Sequence, residues 1–139
     1  MSELTFETVN IGDELPVLTT GPISRTTLAL FAGASGDHNP IHIDIDFAKK
    51  AGMDDVFAHG MLSMAYLARL LTGWVPQTAL RAYSTRFVAI TQLRERIVCS
   101  GKVTEKLEQD GEKRVRLEIQ AANQDGDVKL AGEALIALP

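Results

Sequence analysis

The stretch GMLSMAYLARLLT, residues 60 to 72, limits what this chain can fold into more than any other. Met61, Leu62, Met64, Ala65, Leu67, Ala68, Leu70 and Leu71 fall on every side of a helical wheel, and Arg69 is its only charged residue. A helix that is apolar nearly all round is buried rather than laid on a surface. At 1.5 Å per residue it runs only roughly 20 Å, short of a bilayer. The stretch therefore predicts a central helix, ended by Gly73, that the rest of the chain must cover.

The C-terminal half supplies such a cover. Tyr83, Thr85, Phe87 and Ala89 alternate with other residues, as do Ile97, Cys99, Gly101 and Val103. Val115, Leu117, Ile119 and Ala121 form a third alternating set, and Val128, Leu130, Gly132 and Ala134 a fourth that ends in LIAL. Asp110-Gly111 and Asp125-Gly126 are hairpin turn signals. Ahead of the central helix, residues 4 to 18 predict a short strand or extended arm. Ser24 or Thr26 caps a helix over 27–34 that ends near Gly36. Asp46 begins a second short helix, DFAKKAG, stopped by Gly52. The sum is an α+β chain: helical pieces first, then an antiparallel meander that can wrap one buried helix.

With 139 residues and no internal repeat, the chain reads as one domain over 1–139. A net charge of −4 argues against nucleic acid or an anionic membrane as the main partner. MSELTFETVN has no basic segment before an apolar run, so no secretory signal is expected. The single cysteine, Cys99, rules out an internal disulfide framework and suits a reducing cytoplasm.

SGDHNPIHID, residues 35 to 44, gathers Asp37, His38, His42 and Asp44 around an Asn-Pro turn. Histidines four apart suit a metal only on a helix, and Pro40 with Asn39 before it disfavours one. An EF-hand count from Asp37 places Ile41 where an oxygen ligand is needed, so no metal is expected. A carboxylate and an imidazole around one water suit acid/base chemistry. On that reading Ile41-His42-Ile43 is extended, with His42 and Asp44 sharing a polar face. The plainer alternative is a polar turn with a half-buried histidine. His59-Gly60 stands directly before the central helix, where free N–H groups and the helix dipole suit a carbonyl oxygen gaining negative charge. A merely tight helix entry remains open there.

FAGASGDHNPIHIDIDFA, followed by AHGMLSMAYL, resembles the MaoC-like family of R-specific enoyl-thioester hydratases. The match runs through Phe31, Ser35, Gly36, Asp37, Asn39, Pro40, Ile41, His42 and Ala48, with Gly60 at the expected distance. The resemblance implies a hot-dog fold, a long helix wrapped by a curved antiparallel sheet, usually as a dimer. Short overhanging helices would carry the active-site turn. It implies reversible, R-specific hydration of trans-2-enoyl thioesters, with no cofactor or metal and with coenzyme A or acyl carrier protein as substrate carrier. Asp37 and His42 would hold the water, Asn39 would orient it, and the Gly60 N–H would bind the thioester oxygen. Ser63, His59 and Met61 are the substrate-binding candidates, with His38 in a supporting place. Arg81, Arg86 and Arg94 are candidates for the carrier phosphates. Two alternatives stay beside this reading: a hot-dog acyl-thioesterase, and an acyl-binding or catalytic subunit of a heteromeric dehydratase.

Overall fold

A computed structural model describes residues 3–139. In chain order the elements are β1 (Leu18–Thr19), α1 (Arg25–Ser35), α2 (Ile45–Lys50), α3 (Gly60–Trp74), β2 (Leu80–Phe87), β3 (Val98–Gln109), β4 (Glu112–Ala122) and β5 (Val128–Ala137). One 3-10 turn, Pro40–His42, lies between α1 and α2, and another, Gln77–Ala79, follows α3.

The five strands form one antiparallel sheet in the order β1-β3-β4-β5-β2. It curls around α3 as a half-barrel, the hot-dog arrangement expected. Leu62, Leu67, Leu70 and Leu71 of α3 meet Cys99, Val103, Leu117, Ile119 and Leu130 of the sheet in one core. The tie is also polar, because the Tyr83 hydroxyl donates to the Met64 carbonyl at 2.6 Å.

Three expectations change. The helix runs through Gly73 to Trp74, and what ends it is Val75 before Pro76. A residue preceding proline is pushed out of the helical region, a stronger stop than one glycine. Next, α3 is not covered all round, since Met61, Ala65 and Arg69 are exposed along one side. Finally, only β3, β4 and β5 form a meander. The strand that follows α3 crosses to the far edge and pairs with β5. Segment 88–97 makes that crossing under the start of α3, with the Ala58 N–H donating to the Thr91 carbonyl. The turn signals hold: Asp110 and Gly111 take φ of 53° and 76° between β3 and β4. Among the described residues no helix is long and apolar enough to cross a membrane.

Candidate active site

The polar turn is built by short side chains that each hold the backbone two residues on. Ser35 Oγ accepts from the Asp37 N–H at 3.1 Å, and Asp37 Oδ1 from the Asn39 N–H at 3.2 Å. Asn39 Oδ1 accepts from Ile41 at 3.1 Å, and Asp44 Oδ1 from Asp46 at 3.0 Å. Such side chains compete with regular structure for the backbone, so their repetition writes a turn rather than a helix or strand. Gly36 ends α1 in the left-handed conformation, φ 76°, which sends the chain into this turn.

The expected extended piece at 41–43 is not there. Pro40–His42 forms a 3-10 turn, and His42 faces inward at 9% exposure. Asp44 faces out and caps α2 through the Asp46 and Phe47 N–H groups. His42 and Asp44 therefore share no face, because a turn does not alternate as a strand does. Asp44, rather than Asp46, opens the second helix.

Two backbone carbonyls fix the histidines. His42 Nδ1 lies 2.8 Å from the Phe57 carbonyl, and His59 Nε2 lies 3.2 Å from that of Asp37. A carbonyl only accepts, so His42 carries its proton on Nδ1 and leaves Nε2 bare, while His59 carries its proton on Nε2. The rings stack with centroids 4.0 Å apart and 27° between planes. Phe31 meets His59 edge-on at 4.9 Å, and Phe57 meets His42 at 5.1 Å. His59 is 1% exposed. Burial, then the neighbouring His42, lowers its pKa, and the Asp37 carbonyl opposes this only in part.

The ligand atoms of Asp37, His42 and His59 lie within 4.8 Å of one another. Those three are the residues that a cation would have to use. Stacked imidazoles keep their lone pairs in two separate, roughly parallel planes, whereas a zinc ion needs both aimed at one point roughly 2 Å away. The same spacing suits one water held between a carboxylate and an imidazole.

A cavity of about 420 Å³ opens on this spot, walled by Asp37, Gly60, Met61, Phe87, Ile90 and Leu130 among others. Gly60 begins α3, and no described residue accepts from its N–H. A Cβ on Gly60 would stand 2.8 Å from Phe87 Cε1, so only glycine lets the Phe87 ring cover the helix start. A larger trough, about 1030 Å³, crosses the solvent face of the sheet between Glu14 and Arg86. Asp37 lines the smaller cavity, with His42 and His59 grouped beside it, whereas none of the three lines the trough, so the smaller cavity is the candidate site.

The remaining sequence candidates divide. Met61 lines the cavity; Ser63 is buried one turn into α3, and His59 lies behind His42. His38 is exposed, and the Asn39 carbonyl oxygen is occupied in the turn. Arg81 is paired to Glu112 at 2.7 Å, while Arg86 and Arg94 are exposed. Two features escaped the sequence reading. The Phe57 carbonyl that orients His42 has no side-chain signature. The wall at Phe87, Val88 and Ile90 was read as part of the alternating strand set that runs to Ala89, whereas the strand ends at Phe87, and Val88 and Ile90 lie beyond it.

Fold and site define a hot-dog domain with an acid and a base beside an open helix N-terminus. Within that class the chain belongs to the family of the MaoC like domain, whose model matches residues 7–124. Among solved structures, R-hydratase PhaJ1 from Pseudomonas aeruginosa superposes with a TM-score of 0.84 at 30% identity, covering 97% of this chain and 85% of that one. The (R)-hydratase from A. caviae involved in PHA biosynthesis gives 0.83 at 25% identity, covering 96% and 99%. An (R)-specific enoyl-CoA hydratase of Rhodospirillum rubrum is 35% identical over 71 residues, 51% of this chain and 48% of that protein. Fatty acid synthase subunit beta of Saccharomyces cerevisiae is 30% identical over 138 residues, 94% of this chain but 6% of that subunit. The chain thus spans less than half of either of these two curated relatives.

Proposed function

We propose that this protein hydrates trans-2-enoyl thioesters to R-3-hydroxyacyl thioesters and runs the reverse dehydration. The observation that carries this is the Asp37 carboxylate and the His42 imidazole, with ligand atoms within 4.8 Å of each other, beside a cavity that Asp37 lines together with Gly60, whose N–H is free. The enoyl group lies along Met61, Phe87 and Ile90, and its thioester oxygen accepts from Gly60. A water between Asp37 and His42 attacks C3 and passes its proton to His42 Nε2. The electron pair of the C2–C3 double bond moves toward the thioester, whose oxygen gains charge beside the helix N-terminus. His42 Nε2 hands that proton to Asp37 Oδ2, since Oδ1 is held by the Asn39 N–H. Asp37 delivers it to C2, and both groups end as they began. Every group needed belongs to the chain, so no prosthetic group takes part, and coenzyme A or acyl carrier protein serves only as the thiol carrier.

The active assembly is a homodimer. Among the described residues the outer edge of β2 has no strand beside it, and the open side of α3 carries Met61 and Ala65. Light scattering on the purified protein should give twice the chain mass of 15.1 kDa.

The direct test mixes the protein with trans-2-enoyl-CoA thioesters of several lengths and follows loss of the conjugated-thioester absorbance. The expected product is the R-3-hydroxyacyl thioester, without release of free thiol. Thiol release, or no turnover at any length on either carrier, would overturn the reading.

A further inference from the structure

The mechanism above leaves the buried His59 unused. His59 touches both members of the acid–base pair and is not among the cavity-lining residues. Its Nε2–H holds the Asp37 carbonyl at 3.2 Å, and its ring backs His42 at 4.0 Å. Its Nδ1 is buried without a hydrogen-bond partner.

That unpartnered atom decides the charge state. With Nε2–H committed to a carbonyl, Nδ1 is a bare lone pair. Protonating it would place a cation in a pocket with no acceptor, face to face with His42. Burying an unpaired charge costs several kcal/mol. The groups that face His59 are Phe31 from α1, His42 from the 3-10 turn, and Asp37 by its carbonyl and its carboxylate. The Asp37 carboxylate is the only anion among them, and the Asn39 N–H already holds one of its oxygens. The histidine pair therefore accepts one proton in turnover, and it goes to His42, whose Nε2 is free.

We propose that His59 is a positioning residue for the hydration step: it clamps the Asp37 backbone and backs the His42 ring, so that acid and base keep one geometry while the proton moves. This rests on the hydratase reading for its catalytic consequence but not for its structural content. A misplacement of about 1 Å between reacting groups costs on the order of 100-fold, which sets the scale of the effect.

Two substitutions separate the contacts. His59→Phe keeps a flat ring against His42 and loses the donor; His59→Gln keeps a donor and loses the ring. Both should lower kcat by about 10- to 100-fold with KM within about twofold. Both should also move the acidic limb of the pH–rate profile, which a change of stability alone would not do. Long-range ¹H–¹⁵N spectra of the wild-type protein should show His59 protonated on Nε2 alone at neutral pH, and His42 protonated on Nδ1. A His59 carrying a proton on Nδ1 at neutral pH, or folded variants with kcat within about twofold of wild type and an unmoved profile, would overturn the proposal. Should the wild type turn over no enoyl thioester, the hydratase reading fails by itself, and the same spectra recorded on the variants still decide whether His42 keeps its tautomer without His59. Should a variant fail to fold, the wild-type spectra and the other variant decide.

Discussion

The two walls of the cavity are built on opposite plans. On the polar wall every titratable side chain of the cluster is fixed. His42 is tied to Phe57, His59 to Asp37 and Asp37 to Asn39, and aromatic rings close the spaces between them. On the apolar wall the backbone is held and the side chains are free. Phe87 and Val88 are 58% and 56% exposed, Met61 52% and Ile90 45%. Beneath them Lys129 anchors the segment: its Nζ donates to the Ile90 carbonyl at 2.8 Å, and its own carbonyl accepts from the Val88 N–H at 2.8 Å. Pre-organised charge handling wants rigidity, whereas an apolar tail of variable length wants a surface that can re-pack. On the proposed function, the contrast gives chemistry to one wall and acyl selection to the other.

The largest effects should come from the polar wall and leave affinity alone. Asp37→Asn and His42→Gln are each expected to lower kcat by about 10²- to 10⁴-fold, with little change in KM. Steady-state kinetics on one enoyl-CoA decides. A rise in KM matched by an unchanged kcat would move Asp37 or His42 to the substrate-holding side and erase the contrast.

The anchor under the apolar wall comes next. Lys129 and Glu95 pair at 3.2 Å with side chains 8% and 14% exposed. Burial raises the Glu95 pKa, but hydrogen bonds from Asn123, the Gln92 N–H and Lys129 more than reverse this, so it ends below its ordinary value of 4.5. Glu95→Gln leaves Lys129 as a buried, unpaired charge and should cost about 3 kcal/mol in urea unfolding at neutral pH. A lowered carboxylate pKa stabilises the fold above the unfolded-state value and loses that contribution as pH falls through the folded one. The gap between wild type and Glu95→Gln should therefore be full at pH 7 and close as the pH drops below 4.5. A gap that widens in acid would show that the pair does not hold the wall.

Gly60 joins the walls. Gly60→Ala puts a methyl 2.8 Å from Phe87 Cε1, and the exposed ring must swing over the cavity mouth. The expected loss is about 10²-fold in kcat/KM, the scale of one lost oxyanion donor. In a double-mutant cycle, Phe87→Ala should restore part of that loss, because it removes the ring that the methyl strikes. Strict additivity would place the damage in the helix start alone.

How legible these walls were differs for a physical reason. The polar wall was readable because its turn is local: Ser35, Asp37, Asn39 and Asp44 each bind backbone two residues on, so spacing carries the structure. The central helix was readable for the same reason, being one apolar stretch. The inward turn of His42 was misread because alternation was assumed across a 3-10 turn. The crossing of β2 to β5, the Phe57 carbonyl and the Lys129 anchor depend on residues far apart in sequence. Their partners are backbone atoms, which leave no trace in residue type. Pro76 rather than Gly73 ending α3 was visible in principle, since the residue before a proline is restricted whatever surrounds it.

The smallest effect should be on selection rather than rate. Phe87 stands at the cavity mouth against Gly60, and its ring takes up space that an acyl chain would otherwise cross. Phe87→Ala should leave kcat on a short enoyl-CoA within about twofold and raise the kcat/KM ratio of long to short chains by about tenfold. The change belongs in KM, because contact with the tail is the same before and during reaction. A chain-length series measured on both proteins gives the answer. Were the ratio to stay fixed while kcat fell on every substrate, Phe87 would be part of the rigid wall, and acyl selection would lie with Met61 or Ile90 instead.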